Sequence, residues 1–157
     1  MKRLLVLLGI TASFLGIIYQ GYTADPTEIE IAVTADSMDL LKQSFAEIED
    51  ALDDLHQGVV IGNMDQSERA GFQIYRGSRD ARELLKAVED LLPKDAKKEA
   101  EDLHDTLLKA NRLQQEIQAR GSFTDTFLEF SEQYSKDKAS LLQELEAIVQ
   151  LADALGS

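Results

Sequence analysis

The stretch SMDLLKQSFAEIEDALDDLH, residues 37–56, carries apolar side chains at Met38, Leu41, Phe45, Ile48, Leu52 and Leu55. Alternating steps of three and four put these positions on one face of a helix and leave acids and amides on the other. The spacing predicts a first helix over residues 36–57, capped by Asp36 or Ser37 and ended by Gly58. In GVVIGNMD, which follows, the glycines and Asn63 mark turns, while Val59, Val60 and Ile61 are expected to fold over the end of the core.

Three more helices follow by the same rule. The second spans 66–92, with Asp65 as cap, Glu68 completing a capping-box spacing, and Ala70, Ile74, Gly77, Ala81, Leu84, Val88 and Leu91 as its stripe before Pro93 stops it. The third spans 96–120 on Ala96, Ala100, Leu103, Leu107, Ala110 and Ile117, with Gln114 as its one polar member and Gly121 as its stop. The fourth spans 124–155 on Phe123, Phe127, Phe130, Tyr134, Leu141, Leu145, Ile148, Ala152 and Leu155. Four long amphipathic helices with short connections predict an all-α fold, an up-down-up-down antiparallel four-helix bundle over residues 36–157. The seam repeat near 3.5 residues favours left-handed packing. Each large seam side chain contributes about 1.5–3 kcal/mol when buried.

The N-terminus follows a different rule. MKRLLVLLGITASFLGIIYQGYTADP has a basic pair, Lys2 and Arg3, and then an apolar run from Leu4 to Tyr19. Residues 1–24 therefore read as an export signal cleaved after Ala24, with a membrane anchor over residues 4–22 as the alternative. Either way residues 25–157 are expected in the periplasm or otherwise outside the cytoplasm. Residues 25–35, where Ile29, Ile31 and Val33 alternate, read as a linker or extended arm.

Composition narrows the chemistry. The chain has 157 residues, 29 acidic and 16 basic, for a net charge of −13; losing the two cations of residues 1–24 would bring it to −15. Without a Lys/Arg cluster, nucleic acid is not an expected partner. With no cysteine, disulfides, iron–sulfur clusters, covalent c-type haem and thiolate zinc sites are excluded. No spacing of Ser, His, Lys or acids forms a catalytic motif, so no enzyme is expected.

Candidate ligating residues are few. Helical rise places His56 and His104 about 15 Å apart along the bundle, too far to share a metal. His56, in the expected last turn of its helix, suits the negative end of the helix dipole. Asp50, Asp53 and Asp54 share a face, but Arg69, Arg76 and Arg79 fall at comparable heights as ion-pair partners, and Arg76/Asp80 and Arg79/Glu83 have i,i+4 spacing.

TADSMDLLKQSFAEIEDAL, an exported helix with a methionine at its start, resembles the cytochrome c′ and soluble b-type cytochrome four-helix-bundle superfamily over most of residues 36–155. The resemblance implies a bundle and makes Met38 a candidate axial ligand of haem b. It also implies a histidine near the end of the fourth helix, where LLQELEAIVQLADALGS has no His, Met or Cys. The expected protein is thus cytochrome-like without haem, with Met38 filling core space beside Leu91, Leu92, Ile148, Leu151 and Leu155. It would bind an unknown protein partner or a second copy of itself, touching membrane only if the N-terminal segment is kept. A haem or metal carrier using Met38 is one alternative. A sensor-type bundle is another: Phe123, Phe127, Phe130 and Tyr134 face small residues such as Ala70, Gly71, Gly77 and Ala81 and outline a candidate apolar pocket. Finally, YSKDKAS puts Asp137 and Lys138 where the fourth stripe needs an apolar side chain. Two outcomes are open: a polar device at the seam, or a helix drift that leaves both residues in water.

Overall fold

Helix-forming stretches without internal proline make the chain all-helical among the described residues, with Pro93 standing between two of the helices. The computed structural model describes the backbone of residues 26–156 and the side chains of residues 39–90, 92–147 and 150. Helix α1 is Pro26–Ile61, α2 is Met64–Val88 followed by a 3₁₀ turn at Glu89–Leu91, α3 is Lys94–Leu108, α4 is Ala110–Gln118 and α5 is Thr124–Gly156. Residues 31–157 cluster as one compact unit. Lys109, between α3 and α4, keeps helical angles of −66° and −19°, so these two segments form one rod with a single interruption. The result is a four-helix bundle. Among the described residues no helix is long and apolar enough to cross a membrane. The export signal or anchor of residues 1–24 lies outside the described residues.

The buried set follows the stripes closely. Leu41, Phe45, Ile48, Leu52 and Leu55 of α1 are all buried, as are Ala70, Ile74, Ala81, Leu84 and Val88 of α2. Two departures occur. In the third rod Leu113 is fully buried while Gln114 is only half-buried, so the stripe steps from Ala110 to Leu113 and Ile117. The interruption precedes this step: the Lys109 N–H donates to the Thr106 carbonyl at 3.0 Å, a tighter turn than the α-helical bond. At the end of α1, Val60 and Ile61 are 69% and 67% exposed instead of covering the core.

Helix limits also shift, each for a local reason. Residues 26–35 are helical, not a linker or extended arm; Pro26 sits at the first helical position, where its missing N–H costs nothing. Asp36 and Ser37 therefore lie inside α1, which also runs through Gly58. A Cβ on Gly58 would stand 2.7 Å from Ser67 Oγ, so this glycine serves a close approach of α1 and α2. The left-handed residue is Gly62, at φ +68°. Around it the Gly62 N–H donates to the Val59 carbonyl and the Asn63 N–H to the Gly58 carbonyl, closing the last turn. Asn63 then caps α2, its Oδ1 accepting from the Gln66 N–H at 3.1 Å, two residues before the expected Asp65. The third rod closes in the same manner with Arg120 in the left-handed position, φ +51°, instead of Gly121. The Arg120 and Gly121 N–H groups return to the Ile117 and Glu116 carbonyls.

Side chains from every helix meet their neighbours at specific pairs. Gly77 of α2 lies against Ile48 of α1, and Gly71 against Ile117 of α4. Glu68 bonds Arg120 Nε at 3.0 Å, and Lys109 lies 3.5 Å from Glu129 of α5. Phe45 meets Tyr134 edge-on at 6.3 Å between centroids.

Candidate functional site

In α5 the buried positions Phe130, Tyr134, Leu141 and Leu145 leave one gap in their rhythm, and Asp137 fills it. A helix placing 134 and 141 in the core must place 137 there too, since three and four residues make roughly one turn. Asp137 is 7% exposed, so the seam carries a carboxylate, and the reading in which both polar residues drift into water does not hold.

The buried acid is met from two sides. Asp137 Oδ2 accepts from the Thr106 hydroxyl of α3 at 2.6 Å, and Oδ1 accepts from Gln133 Nε2, one turn earlier, at 2.8 Å. Thr106 is itself 3% exposed and lies three residues before the Lys109 interruption. Both donors are neutral, and among the described residues no cation pairs with Asp137. Lys138 turns the other way, bonding Glu49 of α1 with its ammonium 5.8 Å from the centre of the Tyr134 ring. The Tyr134 hydroxyl donates to the Phe45 carbonyl at 3.2 Å. Burial, with a smaller contribution from the Glu49 charge, drives the Tyr134 pKa far above its usual value. One turn of α5 thus bonds to α1 through Tyr134 and Lys138 and to α3 through Asp137.

Outside this layer α3 and α5 enclose a groove of about 490 Å³. Thr106 and Asp137 are its buried members, with Lys98, Asp102, Lys136 and Ser140 among the residues lining it. Lys109 also lines it but is engaged with Glu129. A second groove, of about 430 Å³, includes Leu85, Ala100 and His104 of α2 and α3.

Other candidates fare differently. Phe123, Phe127, Phe130 and Tyr134 are all buried; Phe130 and Tyr134 stack at 5.9 Å, and Phe127 lies 6.5 Å from the His56 ring. Gly77, assigned to their pocket, faces Ile48 of α1, whose Cγ1 would be 2.8 Å from an added Cβ. Neither groove includes any of these five residues. His56 is exposed and sits more than a turn before the end of α1, so it does not cap that helix. His104 Nδ1 lies 3.6 Å from Asp105 at the half-exposed surface. Arg79 bonds its neighbour Asp80 at 3.2 Å instead of taking the expected Glu83. No group of three or more His, Asp or Glu among the described residues is arranged to hold a metal ion. The Met38 side chain lies outside the described ones, as do Leu91, Ile148, Leu151 and Leu155; Leu92 is buried. The backbone shows α1 beginning about three turns before Met38, so this methionine is not in the first turn of its helix.

Thr106 and Gln133 stand out neither by residue type nor by motif in the sequence. Thr106 carried a usable signal: Leu103, Thr106 and Ala110 are spaced three and four, on the buried side of the third rod. Comparison with known proteins adds no relative: no family model, no curated protein and no solved structure matches the chain.

Proposed function

We propose that this is an exported, cytochrome-like four-helix bundle without haem, not an enzyme, that works as a binding module through the groove between α3 and α5. Its helices alternate in direction, up-down-up-down, with left-handed packing. Support for the alternation comes from the pairs that touch. Phe45/Tyr134 and His56/Phe127 join α1 to α5, Gly71/Ile117 and Glu68/Arg120 join α2 to the third rod, and Thr106/Asp137 and Lys109/Glu129 join that rod to α5. In each set the residue number rises on one helix as it falls on the other. The 3.5-residue seam supports the handedness.

One observation carries the binding role: a carboxylate placed in the seam and lining an open groove, with no cation paired to it among the described residues. Burying it costs stability that an apolar side chain would not, and such costs persist most readily where a site needs them. The groove is lined mainly by polar and charged side chains, which suits a small charged molecule more than a planar apolar cofactor.

Amide chemical-shift mapping on the full chain tests this against its rivals. The panel comprises haem, an apolar aromatic compound and a mixed set of charged metabolite-sized compounds. Shifts confined to Lys98–Lys109 and Gln133–Ser140 support the proposal. Haem-dependent shifts centred on Met38 would establish the haem carrier instead. Shifts centred on Phe123–Tyr134 with the apolar compound would establish the sensor-type pocket, and no shift with any compound would sink all three small-molecule readings.

A further inference from the structure

We infer that the α3–α5 groove takes a small zwitterion, a molecule with an ammonium group at one end and a carboxylate at the other; this rests on the groove being the binding site. The chemistry of its residues points there. Asp137 is a buried carboxylate whose hydrogen bonds, among the described residues, come from the Thr106 hydroxyl and the Gln133 amide. Each carboxylate oxygen has two lone pairs, so each keeps one for a further donor. An ammonium group supplies both the donor and the missing counter-charge, and it does so in a site where partial burial strengthens the attraction.

A metal ion fits poorly, because among the described residues Asp137 belongs to no cluster of three ligating groups. The groove carries both signs, Lys98 and Lys136 standing in the same lining as Glu99, Asp102 and Asp105. Neither lysine has an ion-pair partner among the described residues, and Lys109, the third cation, is engaged by Glu129. Beside the wall carboxylates of Glu99, Asp102 and Asp105, the groove therefore offers a buried carboxylate with spare acceptor capacity at its base and two lysines without an ion-pair partner among the described residues. The two signs stay apart because Asp137 is held in the core by α3 while the lysines extend from the surface. A ligand bearing both charges can place its ammonium at Asp137 and its carboxylate at Lys98 and Lys136.

Calorimetric titration of the full chain at low salt with 4-aminobutyrate, butylamine and butyrate tests the inference. The amino acid should bind at least about tenfold more tightly than either half-molecule. Asp137→Asn, which keeps an acceptor for Thr106, should weaken it by about tenfold or more. The exposed pair Lys98→Ala/Lys136→Ala, which leaves the core untouched, should reduce it to the level of butylamine. Butylamine binding as tightly as the amino acid, or affinity unchanged in the lysine pair, would overturn the zwitterion. So would failure of all three probes. If other charged compounds still shift the groove amides, only the ligand class falls; if none does, the site falls with it.

Discussion

The hydrogen bond between Thr106 and Asp137 lends itself to a thermodynamic cycle. Thr106→Val keeps the shape of the side chain and deletes the donor. The bond is 2.6 Å long, its donor is 3% exposed and its acceptor 7%. A buried hydrogen bond to an ionised group contributes about 1.5–3 kcal/mol, and its loss leaves Asp137 with Gln133 as its one donor among the described residues. Thr106→Val should therefore cost about 2 kcal/mol at pH 7. Asp137→Leu should behave oppositely. It restores an apolar side chain between Tyr134 and Leu141 and removes a buried charge, so it should be neutral or stabilise by up to about 2 kcal/mol. The freed Thr106 hydroxyl can turn to the carbonyl one turn back, on Asp102. In the Asp137→Leu background Thr106→Val should then cost almost nothing, giving a coupling energy of about 2 kcal/mol. Urea unfolding followed by far-UV circular dichroism, with linear extrapolation, measures all four corners. A cost for Thr106→Val that is the same in both backgrounds would refute the reasoning, because the two groups would then contribute independently. So would Asp137→Leu destabilising by as much as Thr106→Val, since the carboxylate would then be a net source of stability.

Two further predictions follow from the same structure. Among the glycines, Gly77→Ala should lower the urea midpoint by about 1–2 kcal/mol in stability, because its Cβ meets the branched stem of Ile48 at 2.8 Å and overpacking outweighs the better helix propensity; Gly71→Ala should be nearly neutral, because the atom it meets at 2.6 Å is the mobile end of Ile117. Tyr134 should make the fold sensitive to alkali. Its folded pKa is raised, so its contribution is complete below the ordinary value of 10.0 and is lost as pH climbs beyond it, where only the unfolded chain readily ionises; Tyr134→Phe should flatten the fall in stability above that pH, and an unchanged slope would show that the ring titrates freely.

The bundle was legible because three-four spacing survives anything done at the helix ends. Leu41 through Leu55 and Ala70 through Val88 were all placed in the core from spacing alone, and all are buried. The ends were less legible. Sequence rules chose Gly58 as a stop, yet that glycine is needed inside the helix for the approach of Ser67, and the left-handed role passes to Gly62. They chose Gly121 over Arg120, but burial of Ile117 fixes where the rod ends, and the next left-handed position falls on Arg120. A non-glycine residue there costs about 1 kcal/mol, partly offset by the bond from Arg120 Nε to Glu68. Cap rules act locally, by about 1 kcal/mol, and tertiary spacing overrides them.

The site was harder to see for a different reason. Periodicity located the fault in the fourth stripe at Asp137 and Lys138, but a 3.6-residue helix read against a 3.5-residue seam drifts by about 20° per heptad. That drift is enough to leave two adjacent residues undecided between core and water. What decides them is a partner 31 residues away, and Thr106 does not stand out because Leu107 fits the third stripe equally well. Both residues are buried, so the third rod presents a face two side chains wide at this height. Two polar residues near the middle of neighbouring stripes fall at matching heights if the helices alternate in direction, as proposed. Searching stripes for such coincident polar positions, rather than for ligating residue types, would have singled out Thr106 and Asp137 before any coordinates. Methionine and histidine drew attention because their chemistry is conspicuous; the threonine and aspartate matter because burial makes ordinary groups expensive to leave unpaired.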